Sequence, residues 1–181
     1  MGDEQLTSHK DFLIRRATKD DVELIAEMGA RLFRDTFGPD NRPEDVDEYI
    51  AASFSPAQIE AELADPMSTF LLAYKRDTPI GYARLRDGKL PDCVKGPRPI
   101  ELVRIYVEQN IIGTGYGSAL MQACLTEAGH GGYQTIWLDV WEKNERAIKF
   151  YRKWGFTEVG TQKFVLGSDI QNDLVMEKMV V

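Results

Sequence analysis

The residues with the clearest chemical potential are Gly113-Thr114-Gly115-Tyr116-Gly117-Ser118. Three glycines alternate with other residues between a β-like run, 100–107, and an apolar-periodic run, 119–128. A strand, a glycine-rich turn and a helix start make an anion site. Glycine lets the backbone turn tightly and come close to a ligand. The first helical N–H groups are unpaired and lie at the positive end of the helix dipole. A phosphate or pyrophosphate fits there. The same glycines also suit a purely structural strand-to-helix turn, so the loop needs support from its neighbours. No Lys-Ser or Lys-Thr pair follows the last glycine, which excludes a Walker loop. The G-x-G-x-G spacing, past the middle of the chain, is not a dinucleotide fingerprint either.

Carboxylates are the second group of interest. Glu101 opens the β-like run, and period two sets Glu101, Val103, Ile105 and Val107 on one face. A charge beside three aliphatics is unusual on a buried strand. A strand-end carboxylate reaching solvent is the plainer reading. Asp139 alternates with Trp137 and Trp141, so the three share a face, in a pocket or under the helix that follows. Asp35, Glu44, Asp45, Asp47 and Glu48, with Tyr49, crowd the first two helices. A cation would suit them, but acids early in a helix are also ordinary partners of its dipole.

Several elements must position these groups. Residues 1–10 read as a flexible tail, and 11–181 as one domain. Residues 12–16 form a short strand. Thr18 then caps a helix, with Asp21 three residues on, and the apolar spacing runs to about 36. Gly29 interrupts it at a cost of ~1 kcal/mol against alanine. A second helix spans about 43–53. A third begins at Pro56, well placed at a first helical position, and stops at Asp65-Pro66. Strands follow at 68–74, 79–85 and 100–107, with a Pro- and Gly-rich loop at 87–99. The glycine-loop helix ends near 129–132. A strand at 135–141, a helix at 144–154 and two strands at 157–166 and 173–180 close the chain. Strand, crossover helix and strand imply a parallel unit. The expected fold is α/β: a single-domain mixed, mostly antiparallel sheet with a central parallel splayed strand pair and helices on both faces.

Composition narrows the function. The 181 residues are 43% hydrophobic and 28% charged, as in an ordinary globular protein. A net charge of −7 argues against nucleic acid, whose binders carry basic patches. It suits a cationic partner, though it also simply keeps a chain soluble. No apolar run approaches the ~20 residues of a membrane span. Two cysteines, Cys93 and Cys124, read as reduced thiols in the cytoplasm. With only two histidines and no Cys/His cluster, no metal site is expected.

Three pieces together carry a resemblance. They are Leu102-Val103-Arg104-Ile105-Tyr106-Val107, the glycine loop running into Gly117-Ser118-Ala119-Leu120-Met121, and Asn144-Glu145-Arg146-Ala147-Ile148-Lys149-Phe150-Tyr151 with Gly155-Phe156. The chain resembles the GNAT superfamily of acetyl-CoA-dependent N-acetyltransferases over nearly its whole length. Phe33-Arg34-Asp35-Thr36-Phe37-Gly38 and Trp141-Glu142-Lys143-Asn144 further resemble a bacterial branch that includes spermidine/spermine acetyltransferases. There is one departure: Ile112 occupies the position where the family loop has Gln or Arg.

The resemblance implies that acetyl-CoA is the co-substrate. Its pyrophosphate would lie on the amides of Gly113, Thr114, Gly115, Tyr116, Gly117 and Ser118, beside Ile112. The pantetheine arm would hydrogen-bond the main chain at Ile105 and Val107. At ~3.3 Å per residue, Val103 to Val107 spans ~13 Å, about the reach of that arm. The amide of Tyr106 or Val107 would stabilise the oxyanion. Glu101 would act as base, Tyr151 would protonate the leaving thiolate, and Asn144 would contact the coenzyme or cap its helix. The expected acceptor is a small-molecule primary amine such as a polyamine. Neither nucleic acid nor membrane is expected as a partner, and a homodimer is allowed. A non-catalytic acyl-CoA sensor on the same fold is the alternative, though it has no need for both Glu101 and Tyr151.

Overall fold

The computed structural model describes residues 5–9 and 11–180. Among these residues eight strands form one sheet in the order β1-β2-β3-β4-β5-β6-β8-β7. They are β1 (Gln5–His9), β2 (Phe12–Arg16), β3 (Ser68–Lys75), β4 (Thr78–Arg86), β5 (Pro99–Val107), β6 (Thr135–Trp141), β7 (Thr157–Leu166) and β8 (Asp169–Met179). Five α-helices among the described residues join them: α1 (Val22–Phe37), α2 (Pro43–Ser53), α3 (Pro56–Ala64), α4 (Tyr116–His130) and α5 (Glu145–Lys153). Among the described residues only β5 and β6 run parallel; every other neighbouring pair is antiparallel.

Two differences from the sequence reading concern strands. Gln5–His9, inside the expected tail, pair antiparallel with β2. Without them β2 would expose a row of unpaired N–H and C=O groups, a condition folded proteins usually cover. The last strand starts at Asp169 rather than 173, because Gly167 takes a φ of +56° and turns the chain at once. Residues 1–4, 10 and 181 lie outside the described residues.

The helices divide between the two faces. Leu120, Met121 and Cys124 of α4, with Ile148 and Tyr151 of α5, pack on Ile14, Leu71, Leu102, Ile136, Leu138 and Met176. On the opposite face Ile25, Met28, Leu32 and Phe33 of α1, Val46 of α2 and Ile59 of α3 pack on Phe70, Leu72, Tyr82 and Leu166. Asn144 caps α5 by accepting from the Ala147 amide. Thr18 and Asp21 form a reciprocal capping box before α1. Gly29 is a packing requirement: a Cβ there would lie 2.5 Å from the Phe54 ring and 2.7 Å from the Tyr82 hydroxyl. Beneath α3, Glu62 bonds Arg84 at 2.8 Å and Arg104 at 2.6 Å, all three buried, which ties the helix to β4 and β5.

One irregularity shapes the site. Arg84 pairs with Arg104, but Leu85 pairs with Leu102, so Val103 is an extra residue in β5. This bulge breaks the expected alternation. Ile105 and Val107 pack toward α4. Glu101 lies between Ile100 and Leu102, which also face α4, and therefore points to the other side of the sheet. The period-two grouping of Glu101 with Ile105 and Val107 is thus overturned, because a bulge inverts the facing of all residues beyond it.

Candidate active site

The parallel pair separates soon after it begins. β5 and β6 pair only through Pro99–Thr135, Ile100–Ile136 and Glu101–Trp137. Beyond Glu101 the β6-facing edge of β5 has no strand partner. Its main-chain groups need hydrogen bonds from something else. A cleft of about 590 Å³ occupies the gap and passes from the α4 side of the sheet to the α1–α3 side.

The glycine loop borders one end. Gly113 and Gly115 adopt φ of +85° and +97°, in the left-handed region. A Cβ at either would meet no atom within 4 Å, so an open cradle lies over the loop. The first closed turn of α4 is the Ala119 amide on the Gly115 carbonyl, at 3.0 Å. The amides of Tyr116, Gly117 and Ser118 precede it and stay free for a ligand. These features fit a pyrophosphate.

Most residues expected at the coenzyme site line this cleft: Ile105, Tyr106, Val107, Ile112, Gly113, Gly115, Gly117, Ser118 and Asn144. Thr114 and Tyr116 do not. The Thr114 hydroxyl donates to the Ile111 carbonyl at 2.5 Å. The Tyr116 ring packs on Phe12 with centroids 5.1 Å apart. Their backbone amides remain part of the loop. The Asn144 side chain is both cleft lining and helix cap.

Tyr151 reaches the cleft from α5. Its ring is held edge-on by Phe150 and Phe156. Burial raises its phenol further above the usual tyrosine range, so it keeps its proton at any physiological pH. Its hydroxyl makes no side-chain hydrogen bond among the described residues, which leaves it available to a ligand.

The far end is different in chemistry. Glu101, Asp139 and Asp173 line it, from β5, β6 and β8. Glu101 is buried, and Arg86 of β4 donates to its Oε2 through Nε at 3.0 Å and through a terminal nitrogen at 2.5 Å. The Gln162 amide donates to Asp139 Oδ2. Asp139 Oδ1 and Asp173 Oδ1 are buried without a partner. Burial pushes Asp139 up to about 7, helped by Glu101 and Asp173. Burial and then Glu142 push Asp173 up to about 6. No group of three His, Cys, Asp or Glu among the described residues is arranged to hold a metal. Phe33, Phe37, Tyr49, Trp141 and Phe164 add an aromatic wall, with neighbouring ring centroids 4.6 to 6.2 Å apart.

Asp139 thus faces a pocket and does not lie under α5. The helical acids are elsewhere. Asp45 accepts from the Ser168 amide and hydroxyl and so braces the β7–β8 turn. Asp47 pairs with Arg34, and Glu44 and Glu48 are exposed. None of these four lines the cleft. The sequence reading missed Asp173 and Arg86. Asp173 alternates with Gln171 and Val175, but its partner Trp141 on β6 is thirty-two positions away in the chain.

Comparison with known proteins decides the class. The acetyltransferase (GNAT) family model matches residues 27–156. The chain belongs to the GNAT acetyltransferase family. An uncharacterised N-acetyltransferase of Mycobacterium tuberculosis is 35% identical over 161 residues, which cover 89% of this chain and 99% of that one. Another from the pepI 3' region of Lactobacillus delbrueckii subsp. lactis is 31% identical over 169 residues, covering 93% and 97%. The PaiA N-acetyltransferase of Thermoplasma acidophilum, solved in complex with coenzyme A, shares the fold. Its TM-score is 0.77 at 23% identity, over 93% of this chain and 98% of that one. This member of the GNAT family is an acetyl-CoA-dependent N-acetyltransferase, with acetyl-CoA as its co-substrate. Among the described residues no helix is long and apolar enough to cross a membrane.

Proposed function

We propose that this acetyltransferase modifies a small primary amine bearing more than one positive charge, with a polyamine as the leading candidate. The observation that carries this reading is the set of three carboxylates, Glu101, Asp139 and Asp173, at the end of the cleft opposite the glycine loop. Aromatic rings beside them suit an alkylammonium, since a cation over a ring face gains ~0.5–2 kcal/mol. Two free thiols, Cys93 and Cys124, suit a reducing cytoplasm.

The proposed roles are these. The amides around Gly113, Gly115, Gly117 and Ser118 cradle the pyrophosphate. The edge of β5 at Ile105 and Val107 holds the donor arm, and the Val107 amide faces the developing oxyanion; the Tyr106 amide is turned to β4, as the neighbouring Glu108 amide is in donating to the Ile80 carbonyl. An alkylamine arrives protonated, with a pKa of ~10.4 like lysine, so it must lose a proton before attack. Carboxylates at the far end are placed to receive it. Tyr151, still protonated, gives a proton to the departing thiolate.

Salt dependence tests the acceptor. A polycation held by several carboxylates feels attraction that salt screens, with a Debye length of ~10 Å at 0.1 M. The KM for spermidine should therefore rise steeply with ionic strength, and that for butylamine much less. Equal sensitivity would contradict a polycationic acceptor.

A further inference from the structure

We propose that Asp139, backed by Asp173, receives the acceptor's ammonium and takes its proton, while Glu101 serves as a fixed counter-charge held by Arg86. This inference rests on the reading of the protein as an amine acetyltransferase and assigns the proton acceptor within it.

Three observations separate the carboxylates. First, Glu101 is already engaged: two nitrogens of Arg86 donate to the same oxygen, Oε2. That guanidinium fixes where Glu101 points, and it is a cation competing with any ammonium for the same group. Second, Asp139 has one oxygen fixed by Gln162 and the other, Oδ1, buried and unpartnered beside the cleft. A buried acceptor with no donor costs free energy until a donor arrives, and an ammonium brings up to three. Third, Asp173 is 7% exposed, lines the same cleft and also leaves Oδ1 without a partner. Trp141 on β6 pairs with Asp173, and Asp139 lies two residues before it on the same face. The two carboxyls are therefore diagonal neighbours across β6 and β8. Two adjacent strands point unpaired acceptors into one cavity that opens on the splay.

The surroundings explain why Asp139 suits proton transfer. The groups acting on it are Glu101 from β5, Asp173 from β8, Arg86 from β4 and Gln162 from β7. From the helical side Thr36 and Tyr49 line the cleft. Negative neighbours and burial raise the carboxyl to about 7, where a general base is most effective near neutral pH. The step balances. The ammonium N–H bond breaks and its proton passes to Asp139 Oδ1, giving a neutral carboxyl and a neutral amine. The amine lone pair forms the C–N bond at the thioester carbonyl. The C–S bond then breaks, the thiolate takes the Tyr151 proton, the second nitrogen proton passes to Tyr151 to restore it, and Asp139 returns its proton to solvent.

The test compares Asp139→Asn, Glu101→Gln and Asp173→Asn with wild type, using acetyl-CoA and spermidine, butylamine or an alanyl peptide. Asp139→Asn should lower kcat ~10²-fold or more, within the usual range for a lost general base. It should also remove the acid limb of the kcat/KM profile, which in wild type bends near 7. Glu101→Gln and Asp173→Asn should both keep that limb and move it to lower pH, because each removes a negative neighbour of Asp139. A lost limb in Glu101→Gln with an intact one in Asp139→Asn would overturn the assignment. Thermal melts need no acceptor and read the carboxyl directly. Its folded pKa lies above its ordinary 3.8, so its ionised form weighs against folding as pH rises toward 7 and beyond. Asp139→Asn should thus raise Tm more at pH 8 than at pH 5. An equal change at both would overturn the proposal. Failure of wild type to acetylate any of the three amines would instead overturn the amine reading.

Discussion

Replacing Gly115 by valine isolates the coenzyme cradle. Gly115 sits at φ +97°, and no atom lies within 4 Å of the position a Cβ would take. The fold therefore meets no collision, only backbone strain, which costs ~1–3 kcal/mol for a side-chain residue held in this region. For a chain of this size each kcal/mol moves Tm by ~2–4 °C, so the variant should melt ~2–12 °C lower without ligand. The valine methyls would stand in the cradle itself. In wild type, CoA at 100 times its dissociation constant should add ~2.7 kcal/mol, or ~5–11 °C on the same scale. If the variant binds 100-fold more weakly, the same CoA concentration adds RT ln 2, ~0.4 kcal/mol, and Tm barely moves. The assay is a thermal melt across a CoA titration. Gly155→Val is the control: its φ is +86°, and it follows α5 and does not line the cleft. It should lose stability by similar strain yet keep the full gain from CoA. A Gly115→Val protein that still gains 5 °C or more would refute the placement of the pyrophosphate.

Tyr151→Phe should lower kcat ~10²-fold or more with CoA affinity unchanged, as read by steady-state turnover and a CoA melt titration; wild-type turnover would leave Tyr151 a packing residue. Glu62→Gln should cost ~3–5 kcal/mol by leaving Arg84 and Arg104 buried without a counter-charge. Urea denaturation reads this, and a loss below ~1 kcal/mol would mean the three groups are better solvated than their burial implies.

Local chemistry made much of this architecture legible. Thr18 and Asp21 carry a capping box in the sequence and form one in the structure. Pro56 and Asn144 mark helix starts correctly. The glycine loop announces an anion cradle because only glycine takes those φ values without strain. What the sequence hid depends on register and distance. The bulge at Val103 leaves no compositional mark, so simple alternation put Glu101 on the wrong face. Asp139 and Asp173 meet only because β6 pairs with β8, and no local pattern states that pairing. The acids of α2 look like a pocket for a cation in one dimension, but Asp45 is turned to a neighbouring hairpin and the others to solvent. The five residues of β1 lack a strong apolar alternation, and the pairing comes from the edge of β2.

The central proposal is acetyl transfer to a cationic amine in the cleft between β5 and β6. Thiol release from acetyl-CoA, followed across a panel of amines with the acetylated product confirmed by mass, tests it most directly. Spermidine should be acetylated with a higher kcat/KM than butylamine, and butylamine with a higher value than any amine bearing a carboxylate. Turnover confined to anionic or neutral acceptors, or no turnover of any amine, would contradict it.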